Sequence, residues 1–148
     1  MTKTFEVLQV LRRRYGVEAD ALQSVIGGYL HKTWKTLVGM NSLFIKIYTG
    51  PDWPEDRIVP TLAAQQRLAA AGLPVPRVIL TRDGQMAAAV AVSEPLGTEP
   101  SPAVMVVMEY RSGLPLPPEH LPIQSAYDAG AALGKIHREL ALLPAGPP

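Results

Sequence analysis

The stretch Ser42 to Tyr48, Ser-Leu-Phe-Ile-Lys-Ile-Tyr, places one charge inside an apolar run. Read as a strand, whose side chains alternate between faces, it puts Leu43, Ile45 and Ile47 on one side and Phe44, Lys46 and Tyr48 on the other. Lys46 then projects from the inner or cleft-lining face of a sheet. An ammonium there needs an anion, a phosphate or a carboxylate, because burial without one costs several kcal/mol or forces the amine neutral. A lysine on an edge strand, by contrast, keeps its head in water, and the strand alone leaves both readings open.

The same periodicities order the rest of the chain. Thr4 is expected to cap a first helix with Leu8, Leu11 and Tyr15 on one face, closed by Gly16, with Arg12 to Arg14 as a solvated end that suits the helix dipole. From Asp20 to Tyr48 the pattern is extended. Leu22 to Ile26, then Tyr29 to Met40, then the lysine strand after a turn at Asn41-Ser42 read as a three-stranded antiparallel meander. The turn at Gly27-Gly28, followed by His31, Lys32 and Thr33, permits close approach of a ligand to bare amides, although a glycine pair is usually only a turn. Good helix formers define a second helix from Pro60 to Ala71, with Pro60 as its first residue after a short turn at Glu55 to Val59 and Gly72 at its end. Leu-Pro-Val-Pro at 73–76 is extended, Val78 to Leu80 is a strand, and Asp83-Gly84 is a hairpin signal from which Met86 to Val92 returns. A proline-rich loop at Ser93 to Pro102 leads into the apolar strand Val104 to Tyr110, with a hinge-like segment at Arg111 to Pro118. The last helix, Ile123 to Leu142, carries Tyr127, Leu133, Ile136 and Leu140 on one side and small residues at Ala129 to Ala132 and Gly134. Such a face wants a larger body or a second copy of the chain to pack on.

Composition narrows the classes. The 148 residues suffice for one domain or two small lobes. A net charge of +1, with acids and bases interspersed, gives no basic patch for nucleic acid. The absence of cysteine removes disulfide scaffolds, thiolate metal sites and cysteine nucleophiles, and fits a cytoplasmic location. Neither a signal-peptide core nor a membrane-spanning run is present, so no membrane association is expected.

Five pieces in order resemble the N-terminal lobe of the aminoglycoside phosphotransferase and choline kinase family, whose fold is related to that of protein kinases. They are the glycine hairpin at 27–33, Phe-Ile-Lys at 44–46, Ala-Ala-Gly-Leu-Pro-Val-Pro at 70–76, Val-Met-Glu-Tyr-Arg-Ser-Gly at 107–113 and Leu-Gly-Lys-Ile-His-Arg at 133–138. The resemblance implies that Lys46 holds the phosphates of ATP or GTP, that the Gly27-Gly28 turn covers them, that Phe44 lines the purine pocket by stacking or by filling it, and that backbone groups of Glu109, Tyr110 and Arg111 take the purine edge. Phosphoryl transfer is catalysed mainly by positioning and fixed positive charge, which agrees with a lysine in that place. Met108 is expected to be wall or core, and His137 to serve helix packing and not as a base. The family also implies an acidic partner for Lys46 near Thr61; the nearest acids are Glu55 and Asp56. Its catalytic loop, His-Gly-Asp, and its later metal-binding Asp do not occur in these residues, so catalytic residues and a metal site are expected to be absent and Mg2+ to enter only with a further lobe.

The sequence therefore predicts an α+β fold, a protein-kinase-like N-lobe. It comprises a five-stranded, mainly antiparallel sheet with a packed helix, a flanking N-terminal helix and a C-terminal helix after the hinge. The expected organisation is a nucleotide-binding lobe at 1–110, a hinge at 111–122 and the first helix of a C-terminal lobe at 123–148. The expected function is that of the nucleotide-binding portion of a small-molecule phosphotransferase, inactive alone, whose aminoglycoside-, choline- or homoserine-like substrate needs the other lobe. The alternatives are a non-catalytic kinase-like module that binds a protein partner or forms a homodimer through helix 123–142, and an unrelated small ligand-binding domain.

Overall fold

The computed structural model describes residues 2–25, 31–92, 101–113 and 122–143. Helix α1 (Thr2–Val10) runs into a wider π-helical turn at Leu11–Tyr15. Strands β1 (Gln23–Ser24), β2 (Lys32–Val38) and β3 (Asn41–Thr49) follow, then α2 (Glu55–Ala70), β4 (Val78–Ile79), β5 (Ala88–Val92), β6 (Ser101–Glu109) and α3 (Ile123–Ala141).

The predicted meander is present: β1 pairs with β2 and β2 with β3, both antiparallel, with Thr33 opposite Lys46 and Trp34 opposite Ile45. Its second turn falls at Gly39-Met40 and not at Asn41-Ser42. Val38 pairs directly with Asn41, and Gly39 takes a φ of +61°, the conformation glycine supplies at the first position of a two-residue hairpin turn. The other edge of β3 pairs antiparallel with β6, with Lys46 opposite Val106.

The free edge of β6 is completed in two pieces. Its C-terminal half pairs with β4, through Val78 and Met108, and its N-terminal half with β5, through Ala88 and Met105. The sheet thus has six strands in five positions. The Asp83-Gly84 signal marks a real turn, closed by Thr81 and Gln85 (N to O, 2.8 Å), but β4 and β5 do not pair with each other. They run in the same sense along β6, because that strand offers an unpaired edge nine residues long and its ladder satisfies both segments.

Each face of the sheet has its own core. Leu43, Ile45 and Ile47 of β3, with Met105 and Val107 of β6, pack beneath Val7, Leu11 and Tyr15. Ile45 and Ile47 are completely buried, worth about 1.5–3 kcal/mol each in apolar transfer. The Tyr15 hydroxyl donates to the Met105 carbonyl at 3.2 Å, and burial pushes the phenol well above its ordinary range. Gly16 ends the π turn at φ +69°, and the segment docks on the 81–85 turn: the Arg82 amide donates to the Arg14 carbonyl at 2.7 Å, and Arg14 pairs with Asp83 at 3.1 Å. Arg12 pairs with Glu18 at 2.9 Å, so two of the three arginines are surface ion-pair partners, as a solvated helix end allows. The helix itself begins at Thr2, which puts Thr4 inside its first turn and not at the cap.

On the opposite face α2 lays Ile58 and Leu62 over Val106 and Met108, with Phe44, Tyr48 and Trp53 around them. The helix starts at Glu55, five residues before the expected start, and Pro60 lies within it. Glu55 and Asp56 fill its first turn, where carboxylates favour the dipole, and Ile58 must be helical to reach the core; together these outweigh the one backbone bond that Pro60 cannot make. Gln65 and Gln66 tie α2 to β4, through the Pro76 carbonyl (2.7 Å) and the Val78 amide (2.9 Å). Helix α3 meets the C-terminal end of α2 but buries none of its residues: Ile123 is 91% exposed and Tyr127 72%.

Candidate functional site

Alternation along β3 and its double-sided pairing place Lys46 in the middle of the sheet, on the α2 side. The strand is central and not an edge, so the water-edge reading of this lysine fails. The expected acidic partner is missing among the described residues: no carboxylate pairs with Lys46, Thr61 is exposed, and what α2 turns to the sheet is Ile58 and Leu62. The Lys46 ammonium lies instead over the Tyr48 ring, 4.5 Å from its centroid.

Tyr48 belongs to an aromatic trio that the sequence reading did not identify. His31 sits 4.5 Å from Tyr48 and, edge-on, 4.9 Å from Trp53; Tyr48 and Trp53 are 5.7 Å apart. The signal was available in the alternation, since the register that sets Lys32 opposite Ile47 brings His31 to Tyr48. His31 as a whole is only partly buried, but its Nδ1 is sealed from water with no hydrogen-bond partner. Burial first, and then the nearby Lys46 charge, lower its pKa below the usual 6.5. The imidazole is thus held neutral and Lys46 is the cation of this corner.

At the other end of the strand the hinge opens a cavity of about 540 Å3, lined among others by Lys35, Ser42, Leu43, Glu109, Tyr110 and Arg111. Lys35 stands over the Tyr110 ring at 4.1 Å. Two of the three hinge amides are already used: Glu109 donates to the Arg77 carbonyl at 2.9 Å and Tyr110 to Ser42 at 3.0 Å. Of these three, the Arg111 amide makes no backbone hydrogen bond to a described residue. Met108 is core, in contact with Gln65 (Nε2 to Sδ, 3.3 Å). Phe44 packs partly buried against the α2-side core and does not line that cavity. His137 is exposed on α3 and takes no part in the sheet site. Gly27 and Gly28 lie outside the described residues; the strands on either side of them are joined at Val25, whose amide and carbonyl bond Thr33 (both 3.0 Å). A second cavity, also about 540 Å3, separates the end of α2 from Lys135 and Arg138 of α3, on a different part of the surface from Lys46.

Among the described residues no helix is long and apolar enough to cross a membrane, and no cluster of three or more His, Asp or Glu side chains could hold a metal ion. The donor set suits a nucleotide better: a cation without a counter-carboxylate, one uncommitted hinge amide and an open cavity between strand ends.

These features sit in a kinase-like N-lobe, and comparison with known proteins gives the chain a family. The sequence profile described as the phosphotransferase enzyme family matches residues 22–148; the chain belongs to that family. Comparison with curated proteins gives no match. Among solved structures, the chain is similar to an amicoumacin kinase in complex with AMP-PNP, Ca2+ and Ami, with a TM-score of 0.76 and 16% identity over 96% of this chain and 41% of that one. A spectinomycin phosphotransferase in complex with ADP and spectinomycin gives 0.67 and 17%, over 95% and 39%. A microcompartment-associated aminopropanol kinase gives 0.65 and 19%, over 89% and 39%. At these identities the likeness is one of fold, and the chain spans about two fifths of the length of each. The unrelated ligand-binding domain is thereby set aside.

Proposed function

We propose that this chain is the nucleotide-binding portion of a small-molecule phosphotransferase, with the lobe at 1–110, a hinge at 111–122 and the first helix of a second lobe at 123–148. The observation that carries the reading is Lys46: a central-strand ammonium, facing the cleft side, with no carboxylate partner among the described residues. ATP or GTP would supply the phosphoryl group. Lys46 supplies fixed positive charge for the phosphates and the Arg111 amide donates to the purine edge, with Gly27 and Gly28 assigned to the phosphates by the sequence resemblance. Because no His-Gly-Asp and no later metal-binding Asp occur in these 148 residues, the base and the Mg2+ ligands come from elsewhere, and the residues alone transfer no phosphoryl group. The substrate class is a hydroxyl-bearing small molecule, such as an aminoglycoside or an amino alcohol, and its pocket belongs to the second lobe.

Calorimetric titration with ATP and GTP, with and without Mg2+, tests this directly. Saturable binding that is markedly weakened but still measurable in Lys46→Ala, with the variant equally folded, is the expected result, because the purine contacts at the hinge remain; no binding of either nucleotide overturns the reading. A second reading is supported by the exposed residues Ile123, Tyr127, Leu133 and Leu142: a non-catalytic module that self-associates through α3. Light scattering that shows a dimer, dispersed by Tyr127→Glu, would favour it.

A further inference from the structure

Lysines that hold phosphates are useful only if the ammonium stays in place when the site is empty, and a four-carbon side chain does not do this unaided. In this lobe the expected device, a carboxylate on the helix over the strand, is replaced on α2 by Ile58 and Leu62. What touches the ammonium is the Tyr48 ring, two residues along the same strand and so on the same face. That ring is itself fixed, with His31 against it at 4.5 Å and Trp53 at 5.7 Å.

We propose that Tyr48 is the positioning residue for Lys46, its ring face holding the ammonium by a cation–π contact, with His31 and Trp53 bracing the ring. A carboxylate would hold the lysine and cancel its charge. A ring holds it through the quadrupole and leaves the full positive charge for the incoming phosphates. The neutral state of His31 completes the arrangement, since an imidazolium at this distance would compete with Lys46 for the ring and repel it. The effect on affinity rests on the nucleotide reading above; the positioning itself does not.

The two are separated by two measurements on the 148-residue chain. In the first, lysines are reductively methylated with 13C and the Lys46 signal is assigned by its loss in Lys46→Arg. The ring current of Tyr48 is expected to shift that signal upfield in the wild type and in Tyr48→Phe, which keeps the ring, and the shift is expected to vanish in Tyr48→Leu. A Lys46 signal at the position of an exposed lysine in the wild type overturns the proposal, whether or not nucleotide binds.

The second measurement is a double-mutant cycle with AMP-PNP. Tyr48→Leu is expected to weaken binding by about 3- to 10-fold, the span of a partly exposed cation–π contact, while Tyr48→Phe binds as the wild type does. In the Lys46→Ala background Tyr48→Leu should change nothing further, because the group it positions is gone. Additive losses would mean that Tyr48 acts by packing and would overturn the positioning role. A shifted Lys46 signal with no AMP-PNP binding would leave the positioning standing and remove the nucleotide reading.

Discussion

Replacing Pro60 by Ala should stabilise this protein, which runs against the usual effect of altering a helix that carries a core. Pro60 lies within α2, six residues after its N-cap Pro54. Its ring removes the amide that would bond the Asp56 carbonyl and crowds that same carbonyl. The side chain is exposed, so no buried contact is lost with it. In a helix interior proline is about 3 kcal/mol worse than alanine. The position is close to the helix start, where part of the strain is relieved, and the proline also stiffens the unfolded chain by about 0.4–1 kcal/mol. A net gain of about 1–2 kcal/mol remains. For a chain of this length each kcal/mol moves the melting temperature by about 2–4 °C, so Tm should rise by several degrees, and the urea midpoint should rise at unchanged slope. The new amide at position 60 should also exchange slowly, since α2 lays Ile58 and Leu62 on the sheet. An unchanged or lower Tm, with that amide exchanging freely, would refute the placement of Pro60 inside the helix and restore the shorter one that its sequence suggests.

Four further changes probe other parts of the fold. Ile45→Ala empties a completely buried position under α1 and should cost about 2–5 kcal/mol in urea unfolding. Gly16→Ala should destabilise by about 1–2 kcal/mol, because its φ of +69° disfavours a side chain and the added carbon would come within 2.7 Å of Arg82 Nε, whose residue holds the turn to the π segment; calorimetric Tm measures it. Tyr15→Phe removes the donor to the Met105 carbonyl and should cost about 1 kcal/mol, read by the same unfolding experiment. His31 has a folded pKa below its unfolded value of about 6.5. The unfolded chain therefore takes up the proton first, and the contribution is intact above pH 6.5 and lost as pH falls through the folded value. His31→Phe should flatten the stability profile in that window, and an unchanged slope would assign the pH dependence to other groups.

The register of the lysine strand was legible because both signals, the alternation and the apolar face, point the same way: Leu43, Ile45 and Ile47 had to share a buried side. The hinge strand was legible for the same reason, as a nearly continuous apolar run is what a strand buried on both faces looks like. Three features were not. The start of α2 was hidden by Pro60, a strong local stop signal that the burial of Ile58 outweighs; the acids at 55 and 56, directly after Pro54, were the missed cue. The fate of Asp83-Gly84 depended on the free edge of β6, a partner that local sequence cannot reveal. The trio of His31, Tyr48 and Trp53 required a cross-strand register and a loop contact together, and only the first of these is written in the alternation.

What sets the place of Lys46 along the sheet is the opposite face. A slip of β3 by one residue would turn Lys46 into the α1-side core and expose Ile45 and Ile47, so the apolar side fixes the position of the charge. That side is covered by α1, and α1 is secured at its far end by Tyr15 on Met105 and by the docking of Arg14 and Arg82. Met105 in turn is paired with Ile47 on one edge and Ala88 on the other. Residues that no ligand would touch therefore set where the Lys46 backbone stands, while on the α2 side the Tyr48 ring holds the ammonium itself. Loss of α1 packing, as in Ile45→Ala, should accordingly weaken nucleotide binding only through loss of folded protein, whereas Tyr48→Leu should weaken it in protein that remains fully folded.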